Sequence, residues 1–345
     1  MADYTTREMI EAIELTPTVR MFLTRTFFPH ENTHITEKAE FDVRRGKRIM
    51  APFVSPRIGG KVITRQGFQT REIHTPRLAP ERILTVDDIS NRAFGENIYS
   101  RRTPSEREDE LLARDYKELD ESIQRRLEWM SRGVLFDGKL IVVDEDAGVD
   151  FQVDYGFNNI VVLTSDNYWR LPVVDPMLLL RRQHRKIIRE TGKAPNVLIF
   201  APDLIDCFVG NPYVKEAMDI RNMKNIVIEP RMVDDALTFY GKIAELGLEI
   251  YSYGEYFLND KGKEESVIPS GACLMAHSEG EGAVEYGLIT QMEDKKFRSY
   301  EAKQVPKIYC DDKSEVKTFR LTSRPLPRPY DVQSWCVIYP NGQED

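Results

Sequence analysis

Between Thr103 and Gly133 the sequence commits to a single long helix. Thr103 or Ser105 can cap its start, with Pro104 tolerated in the first turn. Glu106, Glu108, Asp109 and Glu110 lie near the positive end of the helix dipole, and Arg125, Arg126 and Arg132 near the negative end. Leu112, Tyr116, Leu119, Ile123, Leu127, Met130 and Val134 recur at spacings of 4, 3, 4, 4, 3 and 4, one narrow apolar stripe. Gly133 is predicted to stop the helix in a left-handed conformation. At 1.5 Å per residue such a rod is roughly 43 Å long, more than most globular helices. The stripe ends with the helix, so a coiled coil is excluded, and a spine on which other elements lie is expected.

The chain has 345 residues, enough for two domains or one domain with arms. Its 48 basic and 56 acidic residues leave a net charge of −8, the wrong sign for a dedicated nucleic-acid binder. Cys207, Cys273, Cys310 and Cys336 are far apart with no CxxC pair, which indicates neither a zinc knuckle nor a disulfide framework. The acidic opening MADYTTREMIEAIE lacks the apolar core of a signal peptide, and no run of 18 apolar residues would span a membrane.

Ahead of the spine, residues 5–14 read as a short helix, and Thr18 to Phe28 forms an apolar patch. That patch is either a small core helix or an arm that docks on another surface. His30-Glu31-Asn32-Thr33-His34 fits HExxH, in which a helix presents two zinc ligands and a glutamate base. Pro29 and the β-branched Thr33, Ile35 and Thr36 favour a strand instead, so the match is read as chance. From Ala39 to Leu84 the sequence is strand-rich, with turns at Arg45-Gly46, Gly59-Gly60 and Gln66-Gly67. A hairpin of this length has no core of its own and implies a partner surface.

After the spine, Gly138–Val143 and Asp150–Tyr155 are predicted to pair around an acidic turn that does not fit a calcium loop. From Asp175 the pattern becomes α/β: a helix to Glu190 ended by Gly192, a strand Asn196–Phe200, a helix Pro202–Phe208 and further strands to Ile289. Gly280-Glu281-Gly282 lacks the context of a dinucleotide fingerprint, and no Walker A or GxSxG motif is present. At the end, Val316–Leu321 and Gln333–Tyr339 are strand candidates flanking a stiff PLPRP link, and the last strand is expected to return to the spine region.

The order of arm, hairpin, spine, α/β domain and returning strand resembles the major capsid proteins of tailed bacteriophages, of the phage lambda type (the major capsid protein E family). The similarity is carried by Tyr4-Thr5-Thr6, by Phe22 to Phe28 leading to Thr36-Glu37-Lys38, and by Val54-Ser55-Pro56 before Gly60-Lys61-Val62-Ile63. Pro76, Pro80, the spine, and Tyr256 to Gly262 with Pro269 extend it collinearly over nearly the whole chain.

The resemblance implies an α+β capsid fold with these parts: N-terminal arm 1–45, extended hairpin loop 46–90, and peripheral domain 91–168 with spine helix 104–132. An α/β axial domain 169–295 and a return segment 296–345, ending in a strand of the peripheral domain, complete it. It also implies a shell subunit that forms pentamers and hexamers around packaged viral DNA in the virion head, assembled in the host cytoplasm. No catalytic residue, cofactor, metal or membrane is expected. Expected partners are other copies of the chain, a separate scaffolding protein, a portal and a decoration protein, with DNA touched only by non-specific proximity. Phe22, Phe27, Phe28, Arg57, Lys61, Arg65, Arg71 and Arg126 are the candidate intersubunit contacts. The alternatives are a nanocompartment shell of the same fold and a zinc hydrolase built on His30, Glu31 and His34.

Overall fold

The computed structural model describes residues 21–43, 69–90, 103–144, 149–219, 226–234, 236–259, 262–278, 282–293, 295–311 and 315–342. Helix α1 (Phe22–Phe27) is followed by β1 (His30–Thr33) and β2 (Lys38–Val43). Strand β3 (Gln69–His74) returns antiparallel to β2, with Lys38 opposite His74 and Val43 opposite Gln69. The pairing starts at Lys38, ahead of the boundary expected at residue 46, and the turns expected at Arg45-Gly46, Gly59-Gly60 and Gln66-Gly67 lie outside the described residues. Strand β4 (Glu81–Thr85) leaves the hairpin altogether and pairs antiparallel with a late strand, Val316–Ser323. Residues 81–90, including the one-turn α2 (Val86–Ser90), thus belong with the spine region rather than with the hairpin.

The spine is α3 (Pro104–Arg132), 29 residues. Glu106 N–H donates to Thr103 Oγ1 at 3.3 Å while Thr103 N–H donates to the Glu106 carboxylate at 2.8 Å. Two donors that the first turn leaves orphaned are satisfied by this reciprocal cap. The predicted stop at Gly133 is a correction. Gly133 keeps right-handed helical angles, a π-helical turn runs over Gly133–Asp137, and Gly138 at φ 65° makes the left-handed stop. A Cβ on Gly138 would also lie 2.4 Å from Phe157 Cβ, so that position is closed twice over to other residues. The apolar stripe divides between two cores. Leu119 and Ile123 pack with Phe319 and Leu321, and Leu127, Met130 and Val134 enter the main core.

Past the π turn, β5 (Lys139–Asp144) and β6 (Val149–Asp154) form the expected hairpin. Strand β7 (Ile160–Val162) leads to α4 (Pro176–Thr191), which is capped by Asp175 (Met177 N–H to Oδ1, 2.8 Å) and stopped by Gly192 at φ 85°. Then come β8 (Val197–Phe200), α5 (Pro202–Gly210), α6 (Pro212–Asp219), β9 (Ile226–Asp234), β10 (Leu237–Ile243) and β11 (Leu248–Tyr253). A small hairpin, β12 (Tyr256–Leu258) with β13 (Glu264–Ser266), precedes β14 (Cys273–Ala276). The chain ends with β15 (Gly282–Tyr286), β16 (Ile289–Glu293), β17 (Lys296–Tyr300), β18 (Gln304–Asp311), β19 (Val316–Ser323), β20 (Pro325–Pro329) and β21 (Trp335–Tyr339).

A seven-stranded mixed sheet, ordered β7-β21-β14-β8-β11-β10-β9, forms the α/β part. All residues of β8, β14 and β21 are buried, as strands covered on both faces must be. The last strand returns to an earlier sheet, as its position suggested, and lies between two strands of it, parallel to β7 and antiparallel to β14. It is also tied to the end of the spine: Trp335 Nε1–H donates to Leu135 O in the π turn at 2.8 Å. Strand β15, assigned to the axial part by sequence, pairs instead with β1 and β20.

PLPRP is itself a strand rather than a link. β20 lies at the edge of the sheet β1-β15-β20, and Pro325, Pro327 and Pro329 alternate along it. Alternation turns every missing N–H to the same edge, the one arrangement in which a proline-rich strand pairs without losing ladder bonds. The three-stranded sheet β18-β19-β4 lies against α3 through Phe319 and Leu321.

Candidate intersubunit surfaces

The arm residues come first. Helix α1 docks on the spine through Glu128, which is only 4 % exposed. Leu23 N–H, Thr24 N–H and the Thr24 hydroxyl donate to its two carboxylate oxygens at 2.8, 3.0 and 2.7 Å. Thr24 Oγ1 also lies 2.8 Å from Ser131 Oγ. A carboxylate thus caps the positive end of α1, where a negative group is favoured. Burial pushes the Glu128 carboxyl above its usual range, opposed by the hydrogen bonds from Thr24, Leu23 and Tyr253.

Of the two readings of the apolar patch, the described residues form a core helix. Phe27 and Phe28 are buried in the subunit's own core, and Phe22 is half-buried with its ring 5.7 Å from Tyr251 and 5.3 Å from Tyr253. Phe27 and Phe28 are therefore taken up by the core of their own subunit. Arg126 is half-buried over the Trp129 ring at 5.3 Å. Arg71 lies on β3 opposite Phe41. Arg57, Lys61 and Arg65 lie outside the described residues.

The HENTH stretch is a strand, which answers the zinc reading. At about 3.3 Å per residue its two histidine positions are about 13 Å apart along β1, whereas zinc needs both within about 2.1 Å. Each side chain has another use. His30 stacks on Tyr330 at 6.4 Å, His34 Nε2 lies 2.8 Å from Glu285 Oε2, and Glu31 pairs with Lys303. Glu285, 1 % exposed, is held also by Arg328 at 2.5 Å, so the cluster fastens β1 and β20 to β15. Among the described residues no group of three His, Cys, Asp or Glu side chains is gathered for a metal, and no helix is long and apolar enough to cross a membrane.

The surfaces that sequence reasoning missed are apolar side chains on isolated hairpins. Met292 and Phe297 face each other across β16–β17 and are 50 % and 76 % exposed. On β12, Tyr256 and Leu258 share a face and are 54 % and 73 % exposed. Met232, on the edge strand β9, is 71 % exposed. Their signal in the sequence is alternation inside short strands that have no second layer to cover them.

The model of the family described as phage major capsid protein E matches residues 5–338 of this chain. This chain belongs to that family. It is a shell-forming head protein and a component of the virion. The major capsid protein of Escherichia phage lambda is similar to it at 22 % identity, covering 94 % of this chain and 96 % of the relative. The major capsid protein of Enterobacteria phage phi80 is similar at 23 %, covering 94 % and 96 %. Among solved structures, a prophage capsid protein of E. coli CFT073 superposes with a TM-score of 0.71 at 15 % identity, over 97 % of this chain and 99 % of that one. A phage-related protein of Bordetella bronchiseptica RB50 follows with a TM-score of 0.55 at 12 % identity, over 97 % of each chain. The α+β capsid fold expected from the order of parts is thus the fold of this head protein.

Proposed function

We propose that copies of this head protein associate into pentamers and hexamers that close an icosahedral shell around packaged DNA, with no catalytic step of their own. The observation that carries this is a set of two-stranded hairpins, each leaving large apolar side chains half or more exposed on one face. Met292 and Phe297 on β16–β17, and Tyr256 and Leu258 on β12, are the described examples. Large apolar groups grouped on projections mark protein contact surfaces, and each buried side chain of this size is worth about 1.5–3 kcal/mol. The hairpin rooted in β2–β3 adds Arg57, Lys61, Arg65 and Arg71 as contacts, and Arg126 adds one from the spine. Repeated heterologous contacts of this kind close rings and then shells. A separate scaffolding protein, a portal and a decoration protein are the further partners. Electron microscopy of the purified chain, with its scaffold supplied, should show closed particles with rings of five and six. A monomer at every concentration and salt would contradict the proposal.

A further inference from the structure

One face of α4 stands apart from the rest of this acidic chain. The helix carries five basic residues (Arg181, Arg182, Arg185, Lys186 and Arg189) against one acid, Glu190. Leu178, Arg182, Arg185 and Arg189, spaced 4, 3 and 4 apart, are all exposed. On a helix of 3.6 residues per turn these four fall within about 60° of one another, and the three arginines span about 10 Å. The opposite face is the buried one, with Met177, Leu180 and Ile187 in the main core, so the stripe is held rigidly outward.

Neighbouring basic groups are occupied. Arg181 makes a two-pronged pair with Glu245 at 2.8 Å for each bond, and Lys186 Nζ donates to Asn159 Oδ1 at 2.6 Å. Arg182 and Arg189 form no ion pair among the described residues. Glu245, the acid lining the groove beside the stripe, is paired with Arg181 and attracts Arg185 only at longer range.

We propose that the Arg182–Arg185–Arg189 face of α4 binds the phosphate backbone of double-stranded DNA without base specificity. Three features select this partner over another protein. Protein interfaces use arginine around an apolar centre, whereas this stripe offers one apolar residue, Leu178, at one end, so its arginines frame no apolar patch. The apolar projections are on other elements. The groups are arginines, whose planar forks suit phosphate oxygens. The proposal rests on the shell reading only for its setting, since DNA is the polyanion such a shell encloses. The net charge of −8 repels DNA overall, so three arginines per subunit would give contacts that hold it weakly and reversibly.

The test is binding of the unassembled full chain to a short labelled duplex, followed by fluorescence anisotropy between about 50 and 200 mM salt. Three phosphate contacts predict a slope of log K against log salt of about −2.7, and each single Arg→Gln change should reduce its size by about 0.9. The triple variant R182Q/R185Q/R189Q should lose binding, keep the wild-type circular dichroism and melting temperature, and still form particles. Wild-type binding by the triple variant would overturn the proposal. So would displacement of the duplex by polyglutamate as effectively as by unlabelled DNA, which would make the face a site for acidic protein segments. A folded triple variant that cannot assemble would instead make it a subunit contact. A wild-type chain that shows the predicted slope but forms no particles supports this site and counts against the shell reading alone.

Discussion

Glu128 shows how much one side chain decides at the junction of arm and spine. It accepts three hydrogen bonds from α1, and among the described residues no basic group pairs with it. Burial raises its carboxyl above the value it has in the unfolded chain. Below the ordinary carboxylate range both states are protonated and this group costs nothing. As pH rises above that range, the unfolded chain ionises first, so stability falls until the folded carboxyl ionises too. Urea unfolding from about pH 4 to 7 should therefore show wild type losing stability with rising pH relative to Glu128→Gln. Parallel curves would contradict this account of Glu128. The sequence showed a glutamate beside an apolar stripe and nothing more. Its buried role depends on a segment 104 residues earlier, which no local pattern can reveal.

At the scale of elements, α3 has the most legible sequence and still held one surprise. Its cap, stripe and length follow from local spacing. The location of its end does not, because Gly133 stays helical, where an added Cβ would lie 3.2 Å from Lys139 O, while Gly138 takes the left-handed turn. Leu119 and Ile123 bind the spine to β19, and Leu127 and Met130 bind it to the main core. Ile123→Asp should prevent folding, since it buries an unpaired charge between α3 and β19, and circular dichroism would report it. Arg126→Glu should fold normally and disturb assembly, read as fewer particles in sedimentation. Normal folding of Ile123→Asp would place the stripe on the wrong face.

Elements bounded by their own turns and caps, such as β5–β6 and α4, were readable locally. Strands paired over long sequence distances were not. β21 inserts between β7 and β14, and β20 reads as a rigid link until β15 is seen beside it. Alternation shows that a strand has one or two buried faces, but not which neighbour it takes.

In the whole molecule, the spine joins two cores, and the hairpins project from them with uncovered apolar groups. Replacing Met292 and Phe297 by serine should change subunit stability by no more than about 0.5 kcal/mol, as for exposed sites generally. Particle yield should fall sharply, and light scattering during assembly measures it. Unchanged yield would remove β16–β17 from the contact surface. The hairpin rooted in β2–β3 carries the larger claim: it serves neighbouring subunits and not its own fold. Residues 44–68 can be replaced by a short glycine–serine turn that keeps the β2–β3 base intact, and the variant compared with wild type by sedimentation velocity with scaffold supplied. The variant should sediment as a folded, soluble subunit while wild type forms particles. A variant that unfolds, or one that closes shells as wild type does, would contradict that claim.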